Sequence, residues 1–348
     1  MVKFTPAVLT KTIAAITKEL SPRNRDIVSR RFGLRAGKPE TLESIGSSYH
    51  ITRERVRQIE AATMAHLAQT AKENKEITRY AHAVAETLAE AGGVMRQSDL
   101  FVCMTGNADA NTANASLAFL LSLDDTLVSS EENDHLHQFW AVSQDHAKKF
   151  RDIAGTLAEA FHRHDTVVHR DQLAQFANSA AVTLPAAHLV SVLAISKEIS
   201  SNIFEEVGLR QWAQVHPRGV RDKAYLVMKK QGAPRHFSAI ANLINSASFS
   251  GNRSVNTQTV HNELIKDKRF VLVGRGLYAL AEWGYKPGTV KEVLVDVLKN
   301  SSKPMTKVEL VTKVLESRMV KENTIVLNLQ DSRCFAKHDD GTFTLRKA

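Results

Sequence analysis

The sequence predicts a mainly α chain with small β-hairpins, built as one short helical domain followed by four related modules. Three observations carry that expectation. Residues 20–67 hold closely spaced helix caps and short apolar periods, a pattern of three helical stretches and a hairpin recurs about every 70 residues from residue 76 onward, and the formal charge changes sign between segments. With 348 residues, 43% of them hydrophobic, the chain can bury several cores, and 46 Lys+Arg against 37 Asp+Glu make it basic by +9. No apolar run approaches the roughly 20 residues of a bilayer span, so no membrane partner is expected. The first twenty residues carry Lys11 and Lys18 inside their apolar stretch and read as an ordinary helix rather than a leader. Cys103 and Cys334 are too few for a disulfide framework and fit a reducing, cytoplasmic setting.

The first domain, residues 1–75, carries the sharpest motif. Ser21-Pro22 is a cap followed by a proline suited to the first helical turn. Thr41 caps a short helix that carries Leu42 and Ile45, His50-Ile51 forms a turn, and Thr52 caps a longer helix, 52–66, with Val56, Ile59 and Met64 inward. Two capped helices around a tight turn make a helix-turn-helix, whose second helix enters the DNA major groove. The inward spacing leaves Arg53, Glu54, Arg57 and Gln58 on the opposite face, near the helix N-terminus. Arginine can bridge two guanine acceptors, glutamine can pair with adenine and glutamate can accept from cytosine, so this row has the chemistry of base readout. Arg55, Arg23 and Arg31 suit phosphates. The net charge of +7 over residues 1–75 agrees with double-stranded DNA as the partner.

The modules from residue 76 repeat two independent landmarks. Their second helices are anchored by Leu100, Leu173, Ile240 and Leu310, and their closing strands align at Trp140, Trp212, Leu280 and Leu345. First helices carry Val84 and Leu88, then Leu157 and Phe161, then Tyr225 and Met228, then Val293 and Leu298; a polar turn separates each from its second helix. Gly274-Arg275-Gly276 and Asp339-Asp340-Gly341 are hairpin turns in which glycine supplies positive φ. Three helices closed by a hairpin make a winged helix, giving units at 76–148, 149–217, 218–287 and 288–348. Their net charges are −8, −1, +8 and +3. The acidic first unit is repelled by duplex DNA and suits a spacer or a protein-docking surface. The third is the best further DNA binder: Thr257, Gln258 and His261 lie on its helix 256–265, with Lys266, Lys268, Arg269, Arg253 and wing-tip Arg275 around it.

No enzyme is expected. His162, His164, Asp165 and His169 fall at a helix end and complete no tetrahedral set, so no metal or other cofactor is expected there. Gly274-Arg275-Gly276 lacks the strand-to-helix context of a dinucleotide loop, and no nucleophile and base stand out among fourteen histidines.

Arg30-Arg31-Phe32-Gly33-Leu34, Thr41-Leu42-Glu43 and Thr52-Arg53-Glu54-Arg55-Val56-Arg57-Gln58-Ile59-Glu60 closely resemble region four of primary-type bacterial sigma factors. That domain reads the promoter −35 element and docks on the RNA polymerase flap. The resemblance implies that Arg53, Glu54 and Gln58 read bases, that Arg55 and Arg57 meet the backbone, and that RNA polymerase is a partner. It covers about 50 residues. No aromatic-rich helix resembles sigma region two, so the chain is not expected to open promoters alone. The nearly uncharged run from Ala61 to His66 departs from the basic residues that meet activators in that family. The third and fourth units resemble the HARE-type helix-turn-helix module, a winged-helix family of bacterial polymerase accessory proteins, restriction systems and chromatin factors. The segment Lys268 to Leu280 carries that likeness. The expected function is sequence-specific, sigma-factor-like DNA binding in transcription. A DNA-associated adaptor or defence-system scaffold that never engages RNA polymerase is the alternative.

Overall fold

The computed structural model describes residues 4–247, 249, 254–285, 287–301 and 303–346, and Arg253 of the basic third unit lies outside them. The chain forms two compact bodies, residues 1–201 with 206–210 and residues 202–205 with 211–348. Among the described residues no helix is long and apolar enough to cross a membrane.

The first body opens with α1 (Pro6–Ile16), α2 (Pro22–Arg31), α3 (Leu42–Tyr49) and α4 (Arg53–Lys72). Side-chain oxygens satisfy the free amides at three helix starts: Ser21 accepts from the Asn24 N–H, Thr41 from Ser44 and Thr52 from Arg55, each at 3.2 Å. The α3–α4 turn uses His50 in the left-handed region at φ 54°. It also requires Gly46, because a Cβ there would lie 2.7 Å from the Ile51 carbonyl oxygen. Ile27, Ile45 and Val56 are fully buried between the three helices of the helix-turn-helix.

Helix α4 runs to Lys72, beyond the expected end near residue 66. The extra turns carry Leu67 and Ala71 into a second, larger core shared with Phe4, Leu9, Ile77, Tyr80, Leu117 and Trp140. The stretch from Ser47 to Ala91 is therefore not one helix. It breaks at His50 and again at Glu73–Asn74, where Asn74 Oδ1 accepts from the Glu76 N–H at 3.0 Å and caps the next helix.

Four winged-helix units follow. The first comprises α5 (Lys75–Glu90), β1 (Val94–Arg96), α6 (Gln97–Thr105), α7 (Thr112–Leu121), β2 (Val128–Ser130) and β3 (Phe139–Ala141). The second has α8 (Gln144–His164), β4 (Val168–His169), α9 (Leu173–Ser179), α10 (Ala186–Ile195), β5 (Ile199–Ser201) and β6 (Glu206–Leu209). In the second body the third unit has α11 (Val220–Gln231), β7 (Arg235–His236), α12 (Phe237–Ser246), α13 (Thr257–Lys266), β8 (Phe270–Gly274) and β9 (Leu277–Leu280). The fourth has α14 (Val290–Lys299), β10 (Met305–Thr306), α15 (Lys307–Ser317), α16 (Glu322–Leu329), β11 (Phe335–Lys337) and β12 (Thr342–Leu345). Leu100, Leu173, Ile240 and Leu310, the repeating anchors of the second helices, are all buried.

Two details correct the expectations. The polar turns after each first helix are short strands: β1, β4, β7 and β10 each pair antiparallel with the closing strand, which becomes the middle of a three-stranded sheet. Two- or three-residue strands have no readable period, and only the partner strand defines them. The closing strand of the second unit ends at Leu209, which pairs with Ile199 as Leu280 pairs with Phe270 and Leu345 with Phe335. Trp212 lies three residues past it, so Leu209 is the true repeat landmark.

In the fourth unit an ion pair joins α14 to the end of α16. Lys291 Nζ lies 2.6 Å from Asp331 Oδ2, Arg333 Nε is 3.2 Å from its other oxygen, and these donors hold the Asp331 carboxyl down at about 2. A depressed carboxyl stabilises the fold above the ordinary carboxylate range and loses that contribution as pH falls through the folded value. Thermal melts of wild type and Asp331→Asn should therefore differ at pH 6 and converge as the pH approaches 2. A gap that stays constant across that range would remove the pair from the stability of this unit.

Candidate nucleic-acid interface

The exposed side of α4 is a continuous polar row. Thr52, Arg53, Glu54, Arg55, Arg57 and Gln58 are all exposed, while Val56 alone in that stretch points into the core. The row is internally ordered. Arg57 Nε and Nη2 donate to the two Glu54 carboxylate oxygens at 2.9 and 2.8 Å, and Arg55 Nη1 donates to Gln58 Oε1 at 3.1 Å. The arginine hydrogen bonds hold the Glu54 carboxyl below its usual range, and Glu54 in turn raises the Arg57 guanidinium. Both groups stay charged at neutral pH. Gln58 also faces the Glu54 carboxylate and helps to hold it ionised.

Around the row the surface is concave on both sides. A groove of 330 Å³ is lined by Arg23, Asn24, Arg55, Gln58, Ile59 and Ala62, and one of 510 Å³ by Gly46, Ser47, His50, Ile51, Thr52 and Arg55. Arg55 borders both. Arg23 lies over the Tyr49 ring at 5.4 Å, and the Tyr49 hydroxyl donates to Asp26 at 2.8 Å, so α2 and α3 together hold that guanidinium at the groove.

The other expected arginine is placed differently. Arg31 is half-buried, with Nε 3.3 Å from Glu60 and Nη1 3.2 Å from the Glu40 carbonyl oxygen, so it ties α2 to α4 and to the loop before α3. Sequence reasoning did not find Tyr49, Ser47 or His50 at this surface. Nothing in their spacing marks them, because the turn and not a helical period brings them beside Arg55 and Arg23.

In the third unit α13 begins at an Asn256 cap, its side chain accepting from the Gln258 N–H at 2.8 Å. Gln258 is exposed and Thr257 half-buried. His261 is turned inward, its ring 4.4 Å from Phe237 and 6.0 Å from Tyr278, and so belongs to the packing rather than to the outer row. Arg269 is likewise internal: Asp267 and Asp222 bind it at 2.6 and 2.9 Å and raise its pKa. Lys266, Lys268 and Arg275 are exposed, with Lys266 Nζ 3.7 Å from Glu263.

The corresponding helices of the first two units face inward. Seven residues of α7, between Ala113 and Leu121, are buried, and α7 packs on α1. Helix α10 packs on β1, with Ser191 Oγ donating to the Ala91 carbonyl at 2.7 Å. Among the described residues no group of three or more His, Cys, Asp or Glu side chains could hold a metal ion.

These features define the class: a helix-turn-helix domain followed by winged-helix units. Residues 18–69, from just after α1 through most of α4, match the family model of sigma-70 region 4. Three RNA polymerase sigma factors, SigA1 of Synechococcus elongatus, SigA of a Nostoc species and SigA of Microcystis aeruginosa, are each 45% identical to this chain over 56 residues. That stretch is 16% of this chain, which spans 14% of the length of each relative it matches.

Proposed function

We propose that the protein is a sigma-factor-like, sequence-reading DNA-binding protein of transcription. Its first domain reads a −35-like element through α4 and contacts RNA polymerase, and its third and fourth units hold neighbouring duplex. The outward row from Arg53 to Gln58 carries this reading: side chains of the three base-reading types stand together at the start of a helix, within a segment that matches sigma-70 region 4. Arg53 and Glu54 with Gln58 face base edges, Arg23, Arg55 and Arg57 face phosphates, and Arg31 supports the row through Glu60. The work is non-enzymatic and belongs to the cytoplasm, on the nucleoid. The third and fourth units act in the manner of HARE-type modules, and tethering them to the first domain raises affinity through effective concentration. The acidic first unit is a spacer or a surface for a basic protein partner.

Tagged protein should recover RNA polymerase from bacterial extract after nuclease treatment. Recovery of no polymerase by a protein that still binds duplex DNA in a separate assay would overturn the transcription reading. The adaptor reading, in which the same folds serve a DNA-associated scaffold, draws on the packing of α7 and α10 into the protein, since two winged units there use their third helices for protein contact. Lys266→Ala with Lys268→Ala should weaken binding to all duplex sequences alike and lower the slope of log affinity against log salt by about 2, since each lysine lost from a phosphate removes roughly one unit. An unchanged slope in filter binding from 50 to 200 mM salt would remove the third unit from the duplex.

A further inference from the structure

Helix α13 differs from α4 in what it leaves outward. Its outer face is Gln258, Thr259, Asn262, Glu263, Ile265 and Lys266, with no guanidinium among them. Glu263 is neutralised from the side, because Arg221 on α11 binds its Oε2 and Lys266 stands 3.7 Å from its Oε1. One turn apart, Gln258 Nε2 donates to Asn262 Oδ1 at 3.1 Å. That bond uses the donor of one amide and the acceptor of the other, leaving Gln258 Oε1 as an acceptor and Asn262 Nδ2 as a donor.

Acceptor beside donor matches one base edge. In the major groove adenine offers the N6 amino donor and the N7 acceptor. Guanine offers two acceptors, which call for two donors such as an arginine supplies, and cytosine offers a donor alone. The pair is also held in place. Asn245 brackets the approach to the helix, accepting from the Val255 N–H at 2.7 Å and donating to the Val255 carbonyl at 3.1 Å, and Asn256 caps the first turn. The edge of the neighbouring wing is closed as well: Met319 N–H donates to the Val273 carbonyl at 3.1 Å, and the buried Arg318 donates to the Leu272 and Gly288 carbonyls. The outward parts of this unit are thus α13 with Lys266 at its end, Lys268 just after it and Arg275 at the wing tip.

We infer that the third winged unit reads adenine in the major groove through the coupled amides of Gln258 and Asn262, with Lys266, Lys268 and Arg275 on the flanking phosphates. The protein then has two reading helices of different preference: α4 with guanidinium, carboxylate and amide, and α13 with amides only. This inference rests on the duplex-binding reading of the third unit given above.

The test is selection of bound duplexes from a random library by the full chain, repeated with Arg53→Glu, with Gln258→Ala, with Asn262→Asp and with the Lys266→Ala, Lys268→Ala pair. Wild type should enrich A·T pairs in a tract separate from the one that Arg53→Glu erases. Gln258→Ala should cut the preference for that tract over a G·C replacement by about 5- to 150-fold without changing the salt slope, as expected for one lost base contact. Asn262→Asp, which turns a donor into an acceptor at constant size, should abolish the adenine preference, with an unchanged melting temperature showing that the fold persists. Enrichment of a single tract, or an A·T tract indifferent to both amide variants, overturns the inference. If binding in that case still depends on Lys266 and Lys268, the duplex reading stands without adenine recognition. If the lysine pair has no effect either, both fall.

Discussion

An Arg53→Glu variant of the full-length protein should still bind duplex DNA but no longer tell its target from a scrambled sequence. Arg53 opens α4 and is exposed, and among the described residues its guanidinium has no side-chain hydrogen-bond partner, though its charge helps to hold the Glu54 carboxyl down, whereas Glu54 and Arg57 are tied to each other and Arg55 to Gln58. Its guanidinium can therefore turn to a base without breaking a hydrogen bond among the described residues. A good bidentate contact contributes about 1–3 kcal/mol of discrimination, so the ratio of target to scrambled affinity should fall roughly 5- to 150-fold. The new carboxylate adds repulsion from nearby phosphates, and competition titrations at one fixed salt concentration separate the two effects. Equal losses on both duplexes would move Arg53 from base readout to the backbone.

Leu67→Ala should be the most destabilising single truncation in the helix-turn-helix region. Leu67 is fully buried on α4, outside the small core of Ile27, Ile45 and Val56 and inside the larger one that includes α1, α5 and α7. Removing a buried leucine side chain to the β-carbon costs about 2–5 kcal/mol when the surroundings cannot collapse. Because the same core runs from Phe4 to Trp140, the helix-turn-helix and the first winged unit should lose stability together, in one transition followed by far-UV circular dichroism and by the fluorescence of Trp140. Two separated transitions, with only the first shifted, would show that the two domains are independently cored.

How much was legible differs between parts of the molecule. The helix-turn-helix could be read because its information is local: Ser21, Thr41 and Thr52 each satisfy the amide three residues away, and Val56 against Arg53, Arg57 and Gln58 follows the helical period. The winged units could be read because their anchors recur, although Trp212 misled the count by three residues. The strands β1, β4, β7 and β10 escaped notice, since so short a strand exists only through its partner 36 to 47 residues away.

Among the candidate side chains the same division holds. Outward placement of Arg53, Gln58 and Gln258 follows from residue order, as does exposure of Lys268 and Arg275, because helix phase and turn position set which way a side chain leaves the backbone. The engagement of Arg31 by Glu60, of Arg269 by Asp222 and of Glu263 by Arg221 could not be read that way, for each partner lies 29 to 47 residues off on another helix. Whether a charge is free for a ligand or held by the protein depends on distances of a few ångströms between distant segments, and those distances arise only when the helices pack.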